Sequence, residues 1–125
     1  MRAMVVDDSR AMRHMLGKML KALGFEVSEA GNGREGVERL KDLGVLDLAL
    51  VDWNMPEMNG YDFVCAVRAD PAYDSMRVMM VTTETEMEQV AKALAAGANE
   101  YVMKPFTPAV LTEKLSLLGV IQEPQ

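Results

Sequence analysis

A chain of 125 residues, half of them apolar and about a quarter charged, is long enough to bury a core without disulfides or a structural metal, and it falls in the range of one domain. Its formal net charge of −6 works against nonspecific attraction to nucleic acid or to an anionic membrane. No apolar run approaches the roughly 20 residues that cross a bilayer, Met1-Arg2-Ala3 opens no secretory leader, and the single Cys65 precludes a disulfide framework, so a cytoplasmic location is expected.

Ala3-Met4-Val5-Val6 is a continuous apolar run, too short for a helix and suited to a strand covered on both faces; it ends at Asp7-Asp8. Met12, Met15, Leu16, Met19, Leu20 and Leu23 recur at helical spacing and stop at Gly24. Phe25 to Ala30 then reads as a strand, Gly31-Asn32-Gly33 as a turn, and Arg34 to Leu43 as a helix closed by Gly44. Leu48-Ala49-Leu50-Val51 forms a third strand running into Asp52. A loop holding Pro56 and Gly60 follows, then a helix carrying Phe63, Val64 and Val67 before Asp70-Pro71. Val78 to Val81 is the fourth strand. Met87, Val90, Ala91, Leu94 and Ala95 make a helix ended by Gly97, Tyr101 to Met103 a last short strand, and Leu111, Leu115 and Leu118 a final helix.

This regular alternation implies an α/β fold, a doubly wound five-stranded parallel sheet with helices on both faces, because right-handed crossovers leave few other arrangements. Residues 1–121 read as one domain and 122–125 as a short tail, either a native end or the point where the domain is cut from a longer protein. In such sheets the polar site forms beyond the carboxyl ends of the strands. The residues found there are Asp7 and Asp8 after the first strand, Asp52 after the third, Thr82 after the fourth and Lys104 after the fifth.

Three carboxylates crowded together raise one another's pKa unless a cation neutralises them. A hard divalent ion such as Mg²⁺ suits all-oxygen ligands and often shares its shell with phosphate. There is no Cys-His set for zinc and no Gly-x-x-x-x-Gly-Lys-Ser/Thr loop for a nucleotide. Phosphoryl chemistry on a carboxylate remains: an Asp nucleophile, a Lys ammonium offsetting charge on the phosphoryl oxygens, and a hydroxyl adding a hydrogen bond. Asp52, Lys104 and Thr82 can supply these roles.

Four segments, in order and at matching intervals, resemble the signatures of the receiver domains of two-component response regulators, and among these the stand-alone chemotaxis type. They are Val5-Val6-Asp7-Asp8-Ser9, Asp52-Trp53-Asn54-Met55-Pro56-Glu57-Met58-Asn59-Gly60, Val81-Thr82 and Lys104-Pro105-Phe106, and the likeness covers essentially the whole chain. The resemblance implies a (βα)5 flavodoxin-like fold with strand order 2-1-3-4-5. It implies Asp52 as phosphoacceptor, with Mg²⁺ held by Asp7, Asp8, Asp52 and the backbone carbonyl of Asn54. Lys104 would pair with the phosphoryl group, Thr82 would swing toward it, Tyr101 would turn inward into the space released, and the Lys104-Pro105 peptide would be cis. It further implies a histidine kinase or phosphotransfer domain as donor, and a protein effector at the face of the fourth helix, fifth strand and fifth helix. The domain would be a monomer that assists its own phosphotransfer and dephosphorylation without being an enzyme. One position departs from the family pattern: Thr83 is larger and β-branched where Ala, Gly or Ser is usual, which would restrict access to Asp52.

On residues alone two other functions stay open. One is a small Mg²⁺-dependent phosphohydrolase with an Asp nucleophile, which needs a substrate cap and a second acid two residues after Asp52, where Asn54 stands. The other is a binding module with a vestigial site. Elsewhere plainer roles are expected. Cys65 reads as a small buried hydrophobe and Trp53 as a half-exposed loop aromatic. Met12, Met15, Met19, Met79, Met80 and Met87 fall on core faces, and Arg10, Arg13, His14, Lys18 and Lys21 form a solvated basic stripe on the first helix.

Overall fold

The computed structural model describes residues 1–53, 55, 58–83 and 87–121, and the predicted tail 122–125 lies outside them. Its elements alternate as the apolar runs predict: β1 (Arg2–Val6), α1 (Arg10–Ala22), β2 (Glu26–Ala30), α2 (Gly33–Leu43), β3 (Leu48–Asp52), α3 (Gly60–Arg68), β4 (Arg77–Thr82), α4 (Met87–Ala96), β5 (Glu100–Met103) and α5 (Pro108–Leu117). A single 3₁₀ turn, Pro71–Tyr73, follows α3; Asp70 accepts from the amide of Ala72 to start it. Local chemistry fixes the helix starts. The side chains of Ser9, Asn32, Asn59 and Thr107 accept from the amides of Met12, Glu35, Asp62 and Val110, each satisfying a donor that has no partner within its helix.

The strands are all parallel, in the order β2-β1-β3-β4-β5. The central β3 is buried along its whole length, whereas the edge strand β2 leaves Glu26 and Glu29 exposed. Alternate residues feed two cores. Met4, Val6, Ala49, Val51, Val78 and Met80 face one side, where Leu40 of α2, Phe63, Val64 and Val67 of α3 and Ala93 of α4 cover them. Ala3, Val5, Leu48, Leu50, Met79 and Val81 face the other, against Leu16 and Leu20 of α1 and Leu111 and Leu115 of α5. Strands buried on both faces read as unbroken apolar runs, which is why the sequence reveals β1, β3 and β4 so clearly.

Two expectations about apolar side chains are corrected. Met79 and Met80 are fully buried and Met12 and Met19 half-buried, but Met15 is 41% exposed. The inward stripe of α1 is set by Leu16 and Leu20, and Met15 lies at its edge beside an open groove to α5. Cys65 is exposed as well, because Phe63, Val64 and Val67 define the buried stripe of α3 and position 65 falls off it. The side chain of Met87 lies outside the described residues.

Candidate functional site

Sheet register assembles the polar cluster. Val6 pairs with Val51, so Asp7 comes level with Asp52; Asp52 pairs with Val81, one residue before Thr82; and Thr82 pairs with Met103, one residue before Lys104. Residues far apart in sequence thus meet at the carboxyl ends of β1, β3, β4 and β5. Asp7, Asp8 and Asp52 each present a carboxylate oxygen, all within 4.8 Å of one another. Lys104 Nζ lies 3.3 Å from Asp52 Oδ1. Asp7, Asp52 and Thr82 are buried and Asp8 is exposed, so the cluster opens to solvent on the Asp8 side.

Placing carboxylates here carries an electrostatic cost. Asp52 has its pKa pushed up to about 6, mainly by burial and then by the charge of Asp7, with Lys104 pulling the other way through its charge and hydrogen bond. Asp7 is raised too, again chiefly by burial, and the Ser9 amide donating to its Oδ1 at 2.9 Å partly offsets this. The other oxygen, Asp7 Oδ2, is buried without a hydrogen-bond partner. A buried carboxylate oxygen left unpaired beside two further carboxylates is a donor set suited to a hard cation. The residues present therefore fit Mg²⁺.

Around the cluster the backbone is tightly held. The Lys104 amide donates to the Thr82 carbonyl at 2.7 Å, and the Lys104-Pro105 peptide is cis, as expected. Gly60 opens α3 against the Asp52 loop: its amide donates to Trp53 O at 3.0 Å, and a Cβ there would come within 2.6 Å of the Asp52 carbonyl oxygen. The Thr82 hydroxyl donates to the Thr83 carbonyl over a long 3.4 Å. Thr82 shares its sheet face with Met80, the partner of Tyr101, so Thr82 and Tyr101 are diagonal neighbours on adjacent strands. Thr83 is half-buried and lines a cavity with Met12, Met15, Lys104, Pro105 and Phe106.

A family model described as the response regulator receiver domain matches residues 3–116. The chain belongs to this family. As a receiver domain it is 46% identical over 119 residues to the chemotaxis protein CheY1 of Helicobacter pylori strain J99, covering 94% of this chain and 96% of the relative. It is 47% identical over 116 residues to a chemotaxis protein CheY homolog of Campylobacter jejuni, covering 92% of this chain and 89% of the relative. Among solved structures, chemotaxis protein CheY4 of Vibrio cholerae superposes with a TM-score of 0.83 at 36% identity, covering 96% of this chain and 97% of that one. Among the described residues of this receiver domain, no helix is long and apolar enough to cross a membrane.

The predicted Asp7, Asp8, Asp52, Thr82 and Lys104 all meet at one place; Asn54 lies outside the described residues. Trp53 is a correction. Although it adjoins Asp52 it is buried, packed toward α3 with its ring 6.3 Å from that of Tyr61, because strand alternation turns it away from the carboxylate cluster. Arg13 is another. It leaves the basic stripe, half-buried, to donate to the Asp7 carbonyl at 2.6 Å and to pair with Glu29 at 3.2 Å, whereas Arg10, His14, Lys18 and Lys21 are exposed. Position 13 is one helical turn from Ser9, close enough to reach back to the end of β1; that spacing was the available signal.

Proposed function

We propose that this receiver domain, residues 1–121, is the phosphorylation-driven switch of a chemotaxis-type two-component pathway in the cytoplasm, loaded at Asp52. The observation that carries the reading is the Asp52 carboxylate, buried between a lysine ammonium 3.3 Å away and two further carboxylates. The 46% and 47% identities to chemotaxis relatives support the pathway. An Asp52 oxygen attacks the phosphorus of a phosphohistidine donor, the phosphorus–nitrogen bond breaks, and the imidazole leaves with a proton, yielding an acyl phosphate.

Asp7, Asp8, Asp52 and the Asn54 carbonyl are the residues that would hold Mg²⁺, which when bound offsets negative charge on the phosphoryl oxygens. Lys104 offsets that charge from the chain's own side. Thr82 reorients from the Thr83 carbonyl toward a phosphoryl oxygen, and the space it leaves admits Tyr101. This biases a two-state element toward a form read by an effector on the α4, β5 and α5 face. Thr83, on the wall of the neighbouring cavity, restricts access and sets the rate of phosphotransfer and of self-dephosphorylation. The domain works as a monomer. The phosphohydrolase reading is not favoured, since residues 3–116 match the receiver-domain family and Asn54 stands where a second acid would be needed.

Incubation with Mg²⁺ and acetyl phosphate, followed by intact-mass measurement and peptide mapping, tests the proposal. One labile phosphoryl group on Asp52, absent from Asp52→Asn, is expected. A label mapped to a serine, a threonine or His14 would overturn it.

A further inference from the structure

We propose that Lys114 is a positioning residue for Tyr101, clasping it together with Glu100 and so setting the resting balance of the switch. The inference rests on the reading of Tyr101 as the residue that moves. Tyr101 lies on β5, an edge strand, half-buried against the core beneath α3 and α4. Lys114 comes from α5, which packs on the opposite face of the sheet, where Leu111 and Leu115 enter the other core. Its side chain therefore reaches the tyrosine around the open edge of β5. The ammonium nitrogen sits 4.8 Å from the centroid of the Tyr101 ring. The same nitrogen lies 3.3 Å from Glu100 Oε1, and that oxygen also accepts from the Tyr101 backbone amide at 2.9 Å. Residue 101 is thus gripped at backbone and ring by one ion pair.

A solvated pair on a helix surface would have little influence, but the side chains of Lys114 and Glu100 are only 27% and 21% exposed, so water and salt screen them incompletely. The grip is also differential. If the ring turns inward, the Glu100 pair and its bond to the backbone amide can persist, while the ammonium loses the ring face. Only an interaction that differs between two states can shift their balance, and a cation held over a ring at a partly exposed site is worth a population ratio of roughly two- to fivefold. Lys114 thereby holds the ring in the half-buried position seen.

Tyr101 ring resonances of the full chain, with Mg²⁺, before and after addition of beryllofluoride as phosphoryl mimic, provide the test. In Lys114→Met without the mimic, the ring signals should move part of the way along the line joining the wild-type end points. By reciprocity of coupling, beryllofluoride should then bind up to the same factor more tightly. Glu100→Gln, which loosens the ammonium, should act in the same direction, and Lys114→Arg should restore wild-type behaviour. Thermal unfolding of each variant separates this shift from a general loss of stability, which would not follow that line. If the wild-type ring responds to the mimic but Lys114→Met leaves both its resting position and beryllofluoride affinity unchanged, the clasp is overturned and the switch reading survives. A wild-type ring that ignores the mimic overturns both.

Discussion

At Asp52 the proposed reactivity and the electrostatic cost share one cause: the carboxylate is buried beside Asp7, where a cation and a phosphoryl group would offset its charge and where, without them, burial disfavours ionisation. The residues that do this were legible in the sequence because each stands at the end of an apolar run, where a parallel sheet must place its polar ends. Orientation was not. Trp53 follows Asp52 directly and turns into the core, and nothing local says that α3 would cover it. Gly60 shows a similar limit: sequence marks a turn, while its actual constraint is the Asp52 carbonyl 2.6 Å from where a Cβ would stand. The obstruction is backbone, so Gly60→Ala must displace the Asp52 loop or the start of α3. The variant is expected to lose about 1–3 kcal/mol in urea unfolding, the usual range for an overpacked site, and to phosphorylate more slowly from acetyl phosphate. Wild-type stability together with a wild-type rate would show that this approach does not hold Asp52 in place.

Elements were read correctly in type and order because their periodicities differ so sharply, with strands covered on both faces and helices on one. What ties an element to its neighbours was hidden. Arg68, at the end of α3, looks like an ordinary basic residue in a last helical turn. In the fold its Nε donates to the Gly97 carbonyl after α4, its Nη1 to the Tyr73 carbonyl, and its Nη2 to the Met76 carbonyl and to Asn99 Oδ1, which in turn accepts from the Val78 amide. One guanidinium thus staples α3, the 3₁₀ turn, the start of β4 and the turn from α4 to β5, at the end of the sheet away from the site. Arg68→Met should cost about 3 kcal/mol through the carbonyls it strands, measured by denaturant midpoint, yet still accept a phosphoryl group at Asp52. Loss of phosphorylation in a variant that remains folded would place Arg68 in the site's own support. Thr82→Ala should likewise accept phosphate but lose most of the beryllofluoride-dependent amide shifts around Tyr101. Shifts of wild-type size would mean that the coupling bypasses Thr82.

Across the whole molecule the carboxylate cluster makes stability depend on pH and metal in a direction set by its pKa values. A carboxyl raised on folding holds its proton more tightly in the native state. Its stabilising contribution is fully present below the unfolded pKa, for which 3.8 is the ordinary aspartate value, and is lost as pH rises through about 6, the folded value for Asp52. The difference of about two pKa units corresponds to on the order of 3 kcal/mol withdrawn from the metal-free protein by neutral pH, and Asp7, raised by the same burial, adds with the same sign. Asp52→Asn removes the ionisation, keeps the shape, and leaves Lys104 a carbonyl oxygen to meet. In EDTA the variant should therefore be more stable than wild type near pH 7.5, with most of that advantage gone near pH 4. Mg²⁺ should narrow the gap at pH 7.5 by stabilising wild type more than the variant, because an ion held by the folded cluster would neutralise the charge that burial disfavours. Urea midpoints for both proteins at the two pH values, with EDTA and then with Mg²⁺, measure this. An advantage for Asp52→Asn of equal size at pH 4 and pH 7.5 would mean that the strain at position 52 is steric rather than ionic.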